Sequence, residues 1–313
     1  MSRRSGAGSP QVTPSPSSTD RTVLDIVIVA YRCRDLLRSC LQSLRENEPG
    51  VATSVYVVDN ASEDGTVEMV RAEFDEVTLL ESGHNAGFSA ANNLAIEQGG
   101  GRYVLALNPD TRLTPGAIGR LVEVMDANED IGVCGCRLVL EDGTFDHAAR
   151  RSFPTIAGAL GHFLRIGRTA WAPNALAQYR ATSVDAGPVD AVNGAFMLMR
   201  RSALDAVGLF DEGYWMYMED LDLCYRFREA GWVTWYEPSV TVVHVKGGTS
   251  GPLRDPRLNY AFHYGMYRFY RQHYASAHSG LTNALVYSGI ATKLALALAG
   301  TSVRRMATTV RAR

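Results

Sequence analysis

The chain has 313 residues, 46% of them hydrophobic, long enough to bury a sizeable core in one large domain or two smaller ones. Its 31 basic residues nearly cancel its 33 acidic ones, so no overall field draws it to nucleic acid or an acidic polymer, and a charged partner must be met locally. The five cysteines, Cys33, Cys40, Cys134, Cys136 and Cys224, are odd in number and lack zinc or redox spacing, as expected for reduced core thiols in a cytosolic protein.

Residues 1–22 open with "MSRRSGAGSPQVTPSPSSTD", rich in Ser, Pro and Gly and without an apolar segment. That composition predicts a disordered leader rather than a signal peptide or a membrane span. From Val23 the character changes. "VLDIVIVAY" reads as a strand covered on both faces, and "RDLLRSCLQSLREN" sets Leu37, Leu41 and Leu44 on one helical face. The order recurs: "SVYVVD" precedes "GTVEMVRAEF", "VTLLES" precedes "AGFSAANNLAIEQ", and "YVLALN" precedes "PGAIGRLVEVMDAN". Such alternation predicts an α/β fold with a mainly parallel, Rossmann-like sheet flanked by helices.

Ligands of such sheets collect beyond the carboxyl ends of the strands. Asp59-Asn60, Asn85 and Asn108-Pro109-Asp110 each follow a predicted strand, so three stretches converge on one rim. Taken alone, Asp59 in "VVDNASEDGT" reads equally as helix capping, and Asn85 in "GHNAGFSAANN" as an N-cap or as part of an anion-receiving helix start. Asp110 suits a hard divalent cation, which needs only one or two protein oxygens when a diphosphate supplies the rest. His244, ending the apolar run "VVHVKGG", is either a second ligand or a satisfied core histidine.

Beyond residue 131, "IGVCGCRLVL", "VDAVNGAFMLMRR", "WVTWYEP" and "VTVVHV" predict an extension of the same sheet, the last two as strands separated by a turn. In "FDEGYWMYMEDLDLCYRFREAGW" a helix from near Met218 places Asp220 on the face of Leu223, Cys224 and Phe227, with Asp222 four residues before Arg226. The three acids there complement the helix dipole. An acid on the apolar stripe, free of a cationic partner, also suits a general base. Tyr214, Trp215 and Tyr217 offer flat faces for sugar rings.

Together, "VVDNASEDGT", "NAGFSAANN", "NPD", "VNGAFMLMRR", "FDEGYWMYMEDLDLCYR" and "HVKGG", spread from Val23 to Gly248, resemble the family-2 glycosyltransferases of the GT-A fold. The "NPD" and "MYMED" forms look most like bacterial rhamnosyltransferases of cell-wall linker or surface polysaccharide synthesis. The resemblance implies a catalytic base at Asp220 and acceptor contacts from Glu219, Trp215 and Tyr217. It implies a donor site of Ala30, Tyr31, Asp59, Asn85, Gly87, Asn92 and Asn108, and Mg²⁺ or Mn²⁺ on Asp110 and His244. Donor and acceptor would be dTDP-rhamnose and a saccharide or polyprenyl-linked glycan, with inversion at the anomeric carbon. Where the family often has Asp, this chain has Asn108, a poorer ligand for a hard cation.

The domains expected are therefore 23–250, glycosyltransferase, and 251–313, a helical extension. Its stretch "LTNALVYSGIATKLALALAG", followed by Arg304, Arg305, Arg311 and Arg313, predicts an interfacial helix on anionic lipid, on the inner face of the plasma membrane. Packing on the protein or on a second copy in a homo-oligomer is the alternative. Two other functions compete: a nucleotidyltransferase, which should carry a Gly-rich loop where this chain has "VAYRCRDLL", and a sugar-nucleotide-binding module without catalysis, which would not need Asp220.

Overall fold

The computed structural model describes residues 22–154, 185–245 and 255–311. The leader, the glycines of "HVKGG" and the side chains of the terminal arginines lie outside the described residues. Strands β1 (Leu24–Ala30), β2 (Thr53–Asp59), β3 (Thr78–Glu81) and β4 (Tyr103–Leu107) alternate with helices α1 (Arg34–Glu46), α2 (Thr66–Glu73) and α3 (Phe88–Ile96). After them come β5 (Thr111–Arg112), α4 (Ala117–Ala127), β6 (Ile131–Val139), β7 (Arg150–Arg151), β8 (Gly187–Pro188), β9 (Ala191–Val192) and β10 (Phe196–Arg200). The chain continues through α5 (Arg201–Val207), α6 (Glu219–Glu229), β11 (Val233–His244), α7 (Pro256–His273) and α8 (Gly280–Arg311).

One sheet runs in the order β3-β2-β1-β4-β10-β6-β11-β5, with β8 on β11 and a separate β7-β9 pair. The first four strands are mutually parallel and β11 runs parallel to β6, whereas β10 enters antiparallel between β4 and β6. The carboxyl ends of β1, β2, β4, β6 and β11 and the start of β10 thus share one rim. The alternation read from the sequence explains the parallel half: Ile26, Ile28 and Leu105 pack under α1, and Val27, Val104 and Ala106 pack under α3. In α1 the buried stripe is Leu37, Cys40, Leu41 and Leu44.

One expectation is corrected. "WVTWYEP" and "VTVVHV" are a single strand, β11, whose register with β6 jumps between Glu237 and Thr241. Pro238 has no N–H for the ladder, so the strand passes it as a bulge rather than breaking. The extension beyond 251 begins as part of the body: Phe269 and Tyr270 of α7 are buried, and Phe269 packs with Tyr214, Tyr225 and Phe227. All five cysteines are free and buried, as expected. Burial pushes the thiols of Cys33, Cys40 and Cys224 up to about 12, so none of these three supplies a thiolate near neutral pH.

Candidate active site

The rim is built from the strand ends. Ala30 ends β1 opposite Asp59 at the end of β2, and the Asn60 N–H donates to the Ala30 carbonyl at 2.8 Å. Asp59 is buried; its Oδ2 accepts from Ser62 N–H at 3.3 Å, and its Oδ1 has no hydrogen-bond partner among the described residues. Tyr31, half-buried, lies under the Arg32 guanidinium at 5.2 Å.

Asn60, which the sequence placed on the rim beside Asp59 without a role of its own, organises the next loop. Its Oδ1 accepts from Ala86 N–H at 2.9 Å, and its Nδ2 donates to Asn85 Oδ1 at 3.2 Å and to Gly87 O at 3.1 Å. Asn85 is not the N-cap of α3, since Gly87 holds that position; Asn85 Oδ1 instead accepts from Gly87 N–H at 3.1 Å, closing an Asx turn. Asn92 is buried in α3 and its amide turns back to Phe88 O at 2.9 Å.

The end of β4 carries Asn108 and Asp110. Asn108 N–H donates to Ala195 O at 3.0 Å, joining β4 to the approach of β10, and the residue is half-buried. The chain then turns at buried Pro109 into β5, which pairs antiparallel with the end of β11, so that Thr111 faces His244. This pairing brings Asp110 Oδ1 to 3.5 Å from His244 Nε2. That distance is long for a hydrogen bond, and Asp110 Oδ1 has no hydrogen-bond partner among the described residues. The other ring nitrogen, Nδ1, lies 3.0 Å from Oδ2 of Asp146, a buried residue with no motif signal in the sequence. Burial alone would push the imidazole down, but the flanking carboxylates Asp110 and Asp146 offset it and hold the pKa at about 9.

Helix α6 supplies the acids opposite. The turn before it is strained: Tyr217 and Met218 both take left-handed backbone, at φ 70° and 74°. Asp220 Oδ2 accepts from Gly194 N–H at 2.9 Å, and Gly194 precedes the Ala195 bonded to Asn108, so the structure ties Asp220 to the same rim. The expectation that Asp220 lacks a cationic partner is overturned. Arg151 of β7 forms an ion pair with Asp220 Oδ2 and also donates to Val192 O at 3.1 Å. Arg151 lies in the irregular stretch where periodicity carries no signal. Next to Asp220, Glu219 is buried, with no partner for Oε2 among the described residues, and burial followed by the Asp220 charge pushes its carboxyl up to about 8. Asp222 is bonded to Arg226 at 2.8 Å and to His273 Nε2 at 2.7 Å, a structural arrangement.

The aromatic faces are less open than the sequence suggested. Tyr214 is fully buried, with its hydroxyl on Gln272 at 2.8 Å. Trp215 is half-buried beneath Arg257 at 4.2 Å, and its indole N–H donates to Asn85 O at 3.3 Å. Tyr217 packs edge-on against Phe262 of α7.

This strand order and the carboxylates gathered on one rim define a GT-A glycosyltransferase. The fold is shared with the mannosyltransferase PcManGT of Pyrobaculum calidifontis, solved in complex with GDP-Man and Mn²⁺ (TM-score 0.56, 17% identity, covering 96% of this chain and 82% of that one). It is shared also with GalNAc-T7, solved with UDP, GalNAc and Mn²⁺ (TM-score 0.59, 14% identity, covering 80% of this chain and 48% of that one). The chain belongs to glycosyl transferase family 2, whose profile matches residues 25–208. It is 34% identical over 263 residues to the N-acetylglucosaminyl-diphospho-decaprenol L-rhamnosyltransferase of Mycobacterium tuberculosis, covering 77% of this chain and 81% of that one. The rhamnosyltransferase WbbL of Escherichia coli is 26% identical over 227 residues, covering 70% and 82%.

No group of three or more His, Cys, Asp or Glu side chains is placed to hold a metal among the described residues. The two donors Asp110 Oδ1 and His244 Nε2 nevertheless fit a shared cation. Adjacent ligands of an octahedral ion at 2.0–2.1 Å lie about 3 Å apart, close to the separation found here.

Proposed function

We propose that this glycosyltransferase moves L-rhamnose from dTDP-rhamnose to a hydroxyl of a polyprenyl-linked glycan, with inversion, using Mg²⁺ or Mn²⁺ on Asp110 and His244. The observation that carries the reading is the buried Asp110 Oδ1, without a hydrogen-bond partner among the described residues and beside His244 Nε2, at the strand-end rim where sheets of this kind take their ligands. The rhamnosyl donor and the lipid-linked acceptor are supported by the likeness to the mycobacterial relative. The cation, when bound, supplies positive charge to the departing diphosphate.

The chain's own residues do the rest. Asp59 holds the pyrimidine base beside Ala30 and Tyr31, and the loop from Asn85 to Gly87, with Asn92 behind it and Asn108 across from it, forms the donor wall. Glu219, Trp215 and Tyr217 face the acceptor. Asp220 takes the proton of the attacking hydroxyl as its oxygen bonds to the anomeric carbon and the bond to the diphosphate breaks. For this, Arg151, which is paired with Asp220 Oδ2, must be drawn off by substrate so that the hydroxyl can reach the carboxylate. A second reading gives proton removal to Glu219, whose buried carboxyl is pushed up to about 8 and whose Oε2 has no hydrogen-bond partner among the described residues.

Two measurements test these assignments. A thermal-shift panel should show stabilisation by dTDP-rhamnose and Mn²⁺ together; stabilisation by UDP-hexoses instead would overturn the donor. Asp220→Asn should lower kcat by about 10²- to 10⁴-fold in a folded protein. Loss of that size in Glu219→Gln with Asp220→Asn near wild type would move the base to Glu219.

A further inference from the structure

Asp146 lies outside every stretch that carried chemistry in the sequence, yet it is among the most tightly held side chains near the rim. It follows a turn after β6 in which Leu140 N–H meets Thr144 O at 2.8 Å and Phe145 bridges back to Val139. Its own N–H donates to Leu138 O at 2.9 Å, its carbonyl accepts from Ala149 N–H at 2.9 Å, and its Oδ1 accepts from Ala148 N–H at 2.9 Å. Its Oδ2 faces His244 Nδ1, at 3.0 Å. The sheet fixes this approach, because Val139 pairs with Val243, the residue before His244.

A carboxylate accepts hydrogen bonds, so this contact requires the proton on Nδ1 and leaves the Nε2 lone pair of a neutral ring for a ligand. Nε2 is the nitrogen that faces Asp110 Oδ1. Here the backing is made and the forward contact is left long.

We propose that Asp146 is a positioning residue that sets the tautomer and orientation of His244, so that Nε2 and Asp110 Oδ1 hold one divalent cation between them. The inference rests on the metal role assigned above and adds the residue that makes a lone histidine a competent ligand. Outer carboxylates of this kind contribute about 10- to 100-fold in metal affinity.

The test uses the full chain with Mn²⁺ and dTDP. Electron paramagnetic resonance of free Mn²⁺ should show affinity weakened about 10- to 100-fold in Asp146→Asn, with dTDP binding in the absence of metal unchanged. His244→Ala should weaken it at least as much, and the double variant no further, since the two act through one ring. A ¹⁴N coupling in the spin-echo spectrum of bound Mn²⁺ should be present in the wild type and lost in both single variants. It is read only from protein that holds metal, so a less stable variant still reports. Wild-type affinity or an intact ¹⁴N coupling in Asp146→Asn, or losses that multiply in the double variant, would overturn the positioning role alone. A wild type that binds no Mn²⁺ with dTDP would overturn it together with the metal role, leaving the rest of the transferase reading in place.

Discussion

Glu219 and Asp220 are adjacent in sequence and opposite in environment. Asp220 has a guanidinium and two backbone N–H groups on its oxygens, whereas Glu219 is buried with one oxygen unpartnered among the described residues. The Glu219 carboxyl is pushed from 4.5 up to about 8. Its folded pKa lies above its unfolded one, so between those values the native state keeps a proton that the unfolded chain has released, and stability falls as pH rises through the window. Gln carries no such penalty. Glu219→Gln should therefore gain in Tm over the wild type from about pH 5 to about pH 8.5, a difference that grows with pH. A pH-independent difference in calorimetry would show that Glu219 is not the group responsible. The sequence placed this acid pair on a helix start correctly. It could not show which acid meets an arginine, because Arg151 is distant in the chain and comes from a two-residue strand.

At the scale of elements, the donor loop and the segment before α6 are laced together. Phe88 N–H donates to Trp215 O at 2.8 Å, Ser89 to Tyr214 O at 2.7 Å, and Asn93 bonds both ways with Phe210. Gly87 permits the approach: it sits at φ 89°, and a Cβ there would lie 2.3 Å from Trp215 O. Gly83, at φ 73°, has nothing within 4 Å of such a Cβ, so it controls for a positive φ without a clash, whereas Gly87, at ψ −176°, lies in a region open essentially only to glycine. Gly83→Ala should cost about 1 kcal/mol, the ordinary penalty of left-handed backbone. Gly87→Ala should cost at least about 2 kcal/mol more, since an atom must displace backbone. Equal melting shifts for the two would mean that the Trp215 contact gives way freely. The Asn-Ala-Gly motif was legible as a loop leading into a helix. Its partner was not, because hydrogen bonds across more than a hundred residues leave no local period.

At the scale of the molecule, α7 and α8 form an antiparallel pair. Tyr270 bonds Asn283 at 2.7 Å near the turn, Asn259 bonds Thr301 at 3.0 Å at the far end, and Tyr287 packs on Tyr267 and Tyr270. Helix α7 in turn grips the segment before α6, with Arg268 on Asp211 at 2.8 Å. The outer face of α8 presents Leu281, Leu285 and Leu296 to solvent, and the stretch Gly280–Thr301 has a mean hydropathy of 1.4 with none of it buried. We read this face as resting on anionic lipid, where a polyprenyl-linked acceptor would be reached. Full-length protein should float with anionic liposomes, and a chain ending at Ser279 should not while still using a water-soluble acceptor. Equal flotation of the two would count against α8 as the anchor.

The first four strands, the helices between them, and the rim carrying Asp59, Asn85 and Asp110 follow from the sequence alone, because apolar periodicity and turn residues act over a few neighbours. Side-chain partnership was decided by the tertiary structure. The pairing of β5 with β11 brings Asp110 to His244, that of β6 with β11 brings Asp146 to the same ring, and that of β7 with β9 helps bring Arg151 to Asp220. Those contacts depend on strand order and register across the whole sheet, which a local pattern does not encode.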